Sequence, residues 1–351
     1  MSIDIELLSK EDRDEWNEYV RISDRATVFH QYAALEAQAT HAGGTLYPFV
    51  GYKGQEAFGL FPVFEIQKGP VTMAYSPPYE LHVPNLGPLR VTDNGLKQRK
   101  LEKQHKGFVD GCIERIEREI NPNYFSIRTA WEVDDVRPFT WNEFTAQPGY
   151  TYVVDTETTE ERLLNRFSST PRSHIRNNRD RVYTVTADGG ESVIDWVSDR
   201  IVERYEEQGK TPTTPTAFIH DLCRRLPDEQ VHLYRLCVDG ETVAGAIILQ
   251  FGRTAHRWQA GATFDVDLPA GDLLEWHIMC DAIESDVTTY ELVDANTHRI
   301  NMWKAKFNPD IRTYYTMHRS DTWARYAANV YTRLRDRTPL RKYKSKFNPE
   351  L

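Results

Sequence analysis

Long apolar runs are missing from this chain of 351 residues. No stretch of about eighteen apolar residues occurs, which excludes a transmembrane helix by the usual length argument. The N-terminal "MSIDIELLSKEDRDEW" carries acids where a signal peptide needs an apolar centre, so a cytoplasmic location is expected. Cysteine is scarce: Cys112, Cys223, Cys237 and Cys280 include no CxxC pair. That pattern excludes a disulfide framework and reads as buried thiols in a reducing compartment. The eleven histidines form no HExxH and no clustered ligand spacing, so no metal is expected. There is no GxSxG and no evident nucleophilic cysteine, so nothing points to a covalent intermediate. Positive charge is short as well. Asp and Glu number 52 against 43 Lys and Arg, for a net charge of -9. DNA is therefore not an expected partner, because nucleic-acid affinity rests on neutralising phosphates over a broad basic surface.

What remains is an ordinary folded composition, 40% hydrophobic and 12% aromatic, with a mean hydropathy of -0.60. The length exceeds the roughly 250 to 300 residues at which single cores stop growing, so two domains are expected. Periodicity predicts strands at 2–8, 45–53, 56–67 and 71–78, with helices over 10–23 and 32–40 between the first two. The stretch 77–91 is too rich in Pro and Gly for a regular element. A long helix over 93–119 and a strand at 123–131 follow. From the strand at 150–156 the order restarts, with helices near 159–168, 190–209 and 215–225 and a strand at 181–187. Strands 231–240 and 241–252 meet at Asp239-Gly240, a strong hairpin signal. Strand 254–263, helix 271–285, strand 288–295, helix 297–306 and strand 312–318 complete the pattern. The fold class is α/β of the α+β kind, with domains at 1–149 and 150–318. An amphipathic helix and basic tail occupy 319–351. The tail reads as a helix packed on the second domain, or as a peripheral contact with an anionic membrane surface.

One segment contradicts the acidic balance. "PRSHIRNNRDR" (171–181) holds four arginines and a histidine. Arg172, Arg176 and Arg179 are spaced as on one helix face. They form either a solvated face or a phosphate site, since guanidinium forks suit phosphate oxygens.

The succession "GETVAGAIILQFGRTAHRWQAGA" (240–262), "PAGDLLEWHIMCDAI" (269–283) and "YELVDANTHRINMWKAKFNP" (290–309) resembles the second half of the FemAB and BioF2-like acyltransferases, relatives of the Gcn5-type N-acetyltransferase (GNAT) fold. A small-residue hairpin strand, an aromatic before "GA", a Pro-led "GDLLEW" helix start and the Trp303-Lys304-x-x-Phe307 segment carry the likeness. Arg172, Ile175 and Arg176 fit the family's "R-x-x-I-R-x-A" helix, although Asn177-Asn178 replaces its small residue. The likeness covers 150–318 well, and 1–149 through element order and the loop at 75–89.

The resemblance implies two tandem GNAT-like domains, each a mostly antiparallel mixed sheet flanked by helices, with a cleft between them. It implies direct attack of an amine on an activated acyl carbon, with the donor an acyl-CoA or, alternatively, an aminoacyl-tRNA. The acceptor would be a small-molecule, glycan or cell-envelope precursor, lipid- or nucleotide-linked. A catalytically silent scaffold of the same fold is the third reading. Arg172, Arg176 and Arg179 would hold donor phosphate. Asp272 or Asp294 would take the proton, against the plainer reading of Asp272 as a helix cap. Lys304 would offset negative charge, or simply close a helix. Tyr75, Tyr79, Trp258 and Trp276 would line the substrate site, or be loop and core. "QAGATFDVDLPAGD" (259–272) lacks the R/Q-x-x-G-x-G/A pyrophosphate loop of acetyl-CoA enzymes.

Overall fold

In a computed structural model, residues 3–321 are described apart from 92–94, 134, 210–213 and 264. The expected C-terminal helix and basic tail lie outside the described residues from 322 onward. Strand β1 (Asp4–Leu7) and helices α1 (Arg13–Ile22) and α2 (Tyr32–Ala42) lead into a meander of β2 (Thr45–Lys53), β3 (Glu56–Lys68) and β4 (Val71–Ser76). Then come β5 (Leu89–Arg90), α3 (Gln98–Glu119), β6 (Tyr124–Arg128), α4 (Arg137–Trp141) and β7 (Thr145–Asp155). The second half runs α5 (Glu160–Arg166), α6 (Ser169–Asn177), β8 (Thr184–Thr186), α7 (Ser192–Glu207) and α8 (Thr216–Arg225). A second meander follows, β9 (Val231–Val238), β10 (Glu241–Phe251) and β11 (Thr254–Ala262), then α9 (Ala270–Glu284), β12 (Thr289–Glu291), α10 (His298–Lys304) and β13 (Asp310–Ser320).

All these strands join one sheet in the order β1-β2-β3-β4-β6-β13-β7-β12-β11-β10-β9-β8, with β5 against β3. Pairing is antiparallel except at β4–β6 and β11–β12. The restart seen in element order is therefore a repeated topology. In each half a meander ends in a strand, a long helix crosses over, and the next strand lies parallel to it. The hairpin at Asp239-Gly240 forms as expected, with φ of 51° and 83°, the paired positive values a two-residue turn needs.

The two halves also exchange their last strands. β7 pairs with β12 of the second half, and β13 inserts between β6 and β7. A boundary at 149/150 consequently falls inside β7. That strand runs through Pro148-Gly149, which reads as a loop in sequence. Pro148 is tolerated because β12 reaches only to Val153, leaving β13 as the paired strand there.

Three apolar clusters fill the structure. One lies on a face shared by both halves, where α1 and α2 meet α7 and α8. The others sit under α9 and under α3. Helix α7 lies close on the second meander because the strands there carry glycine. A Cβ at Gly261 would stand 2.8 Å from Arg200 Cβ, and one at Gly245 3.0 Å from Val197 Cγ2. Met317 of β13 is fully buried in the first half's cluster, with Phe125, Phe139 and Phe144. Met317→Ala is expected to lower unfolding stability by about 2 to 5 kcal/mol, read as a shift of the urea midpoint. Because β13 ties the halves together, the transition should remain a single one.

Candidate active site

The second parallel junction does not stay closed. β11 and β12 pair from Thr254↔Thr289 to His256↔Glu291 and then part. Past Glu291 the chain remains bonded to β7, with Leu292 N donating to Tyr152 O at 2.8 Å and Ala295 N to Tyr150 O at 2.7 Å. Val293 and Asp294 take positive φ, 45° and 63°, a conformation that costs a non-glycine residue about 1–3 kcal/mol and persists only where the surroundings enforce it. Lys304 supplies that enforcement. Its Nζ donates to the carbonyls of both Val293 and Asp294, the latter at 2.8 Å. Lys304 thus stands in for the strand partner that is absent where the sheet splays.

A cavity of about 190 Å³ occupies the splay. Its floor is β11 at Arg257–Ala260, its sides are α7, α8 and the 293–304 segment, and His82 reaches in from the first half. Arg204, Arg257 and Lys304 give it three cations, against the single carboxylate of Asp294. Burial, then the neighbouring Arg257, pushes the Lys304 ammonium down to about 8. Burial and the nearby Arg257 and Arg299 lower Arg204 in the same way. Arg257 is anchored from below: its Nε donates to Glu275 Oε2 at 2.6 Å, and its guanidinium lies 4.8 Å from the Trp303 ring centroid. Glu275, 1% exposed, also accepts from Tyr290 OH at 2.8 Å. The lining is therefore net positive, with Trp258 as an apolar wall.

The structure divides the residues singled out in sequence. Trp258, Asp294 and Lys304 come together around the cavity. Trp258 is also core: its Nε1 donates to His82 O at 2.9 Å, and its ring meets Phe29 and Phe218 edge-on. Asp294 Oδ1 accepts from the backbone and side-chain nitrogens of Asn296 at 2.9 and 2.6 Å. Asp272 lies in the first turn of α9 on the opposite side and is not the cap, a position held by Pro269. Its Oδ1 accepts from Lys306 Nζ and from Trp303 Nε1 at 3.0 Å, and its Oδ2 stands 2.8 Å from His174 Nδ1. Trp276 packs edge-on against Phe167. Helix α6 ends at Asn177, so Arg179 lies beyond the helix rather than on its face. Arg176 is exposed, with Nη2 3.3 Å from Asn165 Oδ1. None of the three arginines lines the cavity. Tyr75 stacks at a tilt on Tyr124, 5.8 Å between centroids, and Tyr79 is exposed in the following loop. Sequence reasoning missed Arg204, Arg257 and His82. Arg257 stood beside Trp258 in the quoted strand, but alternation sends neighbours to opposite faces, so the strand pattern pointed away from it. Arg204 and His82 carry no local pattern.

The family model described as "Acetyltransferase (GNAT) domain" matches residues 165–305. Within the second half, residues 165–305 are thus similar to GNAT-type acetyltransferase domains. Among solved structures the chain is similar to FemX, at 12% identity and a TM-score of 0.70, over 89% of this chain and 96% of that one. It is similar to the C-terminal domain of a protein assigned as a lysylphosphatidylglycerol synthetase in Agrobacterium fabrum, at 15% identity and TM-score 0.52, covering 92% and 96%. A tandem GNAT protein from the clavulanic acid biosynthesis pathway aligns at 10% identity and TM-score 0.52, covering 90% and 98%. At such identities the likeness is one of fold, and that fold is a tandem GNAT fold. No curated protein matched the sequence. The GNAT domain makes this chain a transferase, of the acyl or aminoacyl kind. Among the described residues no helix is long and apolar enough to cross a membrane.

The acyl-CoA implied by GNAT folds does not fit the place where such folds usually grip it. That grip needs free backbone N–H groups at the N-terminus of the helix after the splayed strand, here α9. Ala270 N instead donates to Leu268 O at 2.8 Å, and Asp272 N and Leu273 N donate to Pro269 O at 2.9 and 3.1 Å. Asp272 places a carboxylate in the same turn, held by Lys306. A pyrophosphate there would find Lys306 already paired with Asp272 and few free backbone donors.

Proposed function

We propose that this chain is an N-acyltransferase that moves an activated acyl or aminoacyl group onto an amine of a small-molecule, glycan or cell-envelope precursor by direct attack. The acceptor nitrogen bonds to the acyl carbon, the carbonyl oxygen becomes an oxyanion, and the bond to the leaving oxygen or sulfur then breaks. The observation that carries this reading is the placement of Lys304. An ammonium has three donors, and two are spent on Val293 and Asp294. The third is free for an oxyanion in the cavity, a preorganised donor of the kind that gives transition-state stabilisation its largest single share. Arg204 and Arg257 suit the phosphates of the donor. Asp294, at the cavity wall, orients the amine.

The occupied N-terminus of α9 favours a tRNA-borne ester over acyl-CoA as the donor. The family match at 165–305 speaks for the thioester. Melting the protein with free coenzyme A, with acetyl-CoA and with a pool of charged tRNA separates the two. A ligand at about a hundred times its dissociation constant adds roughly 2.7 kcal/mol. The expected result is a rise with charged tRNA that Arg204→Ala abolishes. A rise with coenzyme A alone would return the thioester to first place.

A further inference from the structure

Two polar side chains in the cavity wall are left unused by the transfer chemistry above. Ser198 of α7 and Gln259 of β11 both line the cavity, and they are 5% and 8% exposed. Neither Ser198 Oγ nor Gln259 Nε2 has a hydrogen-bond partner among the described residues. A serine inside a helix ordinarily bonds back to the carbonyl four residues earlier or turns to solvent. Ser198, in the middle of α7, does neither. Buried polar atoms are nearly always paired, so two unpaired ones in the wall of one cavity call for a ligand.

The backbone brings both side chains to that wall. β10 and β11 pair Ile247 with Gln259 and Ile248 with Arg257, which leaves Trp258 as the extra residue of a β-bulge. A bulge breaks the pleat and re-aims side chains. Arg257, Trp258 and Gln259 accordingly all line the cavity although they are consecutive. On α7, Ser198 shares a face with Val202 and Tyr205, four and seven residues on, and both of those line the cavity as well. Arg204 projects from α7 about 9 Å further along the helix axis, so Ser198 and Arg204 hold different stretches of the cavity. The remaining wall includes the apolar Trp258, Ile219 and Ala260.

We propose that Ser198 and Gln259 form a subsite for a neutral hydroxyl group carried by one of the two substrates, and that they set the specificity for it. The proposal rests on the transfer reading above. The donors and acceptors present select the ligand. Gln259 Nε2 only donates, whereas Ser198 Oγ donates or accepts. A hydroxyl satisfies both, accepting from the amide and donating to the serine. A hydrocarbon would leave both unpaired. A carboxylate or phosphate would shed its hydration against Trp258, Ile219 and Ala260 with no opposite charge from the pair, and is better placed at Arg204 and Arg257. The hydroxyl belongs either to the transferred acyl group or to the acceptor amine, and the chemistry that recognises it is the same.

Substrate pairs that differ by a hydroxyl against a methyl test this. One arm varies the acyl group, threonyl- against valyl-tRNA and glycolyl- against propionyl-CoA, with hydroxylamine as acceptor. The other varies the amine, ethanolamine against propylamine, with acetyl-CoA and a pool of charged tRNA as donors. In one arm the native chain should favour the hydroxylated partner by about 10²- to 10⁴-fold in kcat/KM, because a site built to hydrogen-bond a hydroxyl discriminates against the analogue lacking it. That arm identifies the substrate. The Ser198→Ala, Gln259→Met double variant should bring the two partners to the same rate, and each single variant should lose part of the preference. Without any substrate, the double variant should melt no lower than the native chain, since apolar groups replace buried polar atoms that have no partner in the fold. Equal use of both partners in both arms by the native chain, or a preference that the double variant keeps, overturns the subsite and leaves the transfer reading in place. A double variant that melts several degrees lower does the same, because the two side chains are then paired within the fold. No transfer by the native chain with any of these substrates overturns the transfer reading itself, and the subsite falls with it.

Discussion

Lys304→Met is expected to lower the single-turnover rate of acyl transfer by about 10²- to 10³-fold, the usual cost of removing one oxyanion donor. The donor KM should change little, because the interaction removed forms only as negative charge develops on the carbonyl oxygen. The native rate should fall as pH rises through about 8, where burial and Arg257 have placed the ammonium. Below that value Lys304 is charged and can offset an oxyanion. Above it the amine is neutral and cannot, so the variant should show no such alkaline limb. The substitution also removes the donor shared by two strained carbonyls. Leaving buried acceptors unpaired costs about 1–3 kcal/mol, so rates must be compared below the variant's melting temperature. A Lys304→Met rate within a few-fold of native across pH 6 to 9 would remove the lysine from the chemistry and leave it as a backbone prop.

Arg257→Leu has the largest expected effect on stability, a loss of about 3–5 kcal/mol. Glu275 is 1% exposed and loses its cation, while Tyr290 continues to donate to its other oxygen. An uncompensated buried carboxylate is the source of that cost, so adding Glu275→Gln should recover most of it. Such a recovery distinguishes charge from packing, because the leucine would still lack the guanidinium's contact over Trp303. Urea unfolding of the single and double variants measures both. If Arg257→Leu alone costs under about 1 kcal/mol, the pair behaves like the exposed Arg21–Glu18 bridge, and Glu275 does not anchor the cavity floor.

Sequence periodicity carried the fold well wherever an element had its own signal. The meanders, the Asp239-Gly240 turn and the helices α3 and α7 are each written in local spacing, and α9 in its Pro-led start. Strand exchange is not. β13 and β7 look like any final strands, and their partners are set by long-range pairing that no window contains. The same limit applies to the cavity. Lys304 stood out because the Trp303–Phe307 segment resembles a family, Asp294 because it ends a buried-looking strand, and Trp258 because an aromatic precedes "GA". Arg204 and His82 reach the cavity from a helix face and a loop of the other half. The arginine segment drew notice by density alone. Density cannot tell a phosphate site from an exposed helix, and α6 presents Arg176 to solvent. Asp272 shows the converse: a conspicuous acid at a helix start, whose first-turn position and three polar neighbours tie α9 to α6, to α10 and to the residues just after it.

The central claim is that the cavity at the β11–β12 splay is where acyl transfer occurs. The most direct measurement is hydroxamate formation from radiolabelled charged tRNA and from labelled acetyl-CoA, with hydroxylamine as acceptor and the uncatalysed reaction subtracted. The native chain is expected to give product with at least one donor. Arg21→Ala, a surface change, should give product as well, and Lys304→Met almost none. No product above background from the native chain, or equal product from Lys304→Met, would contradict the claim.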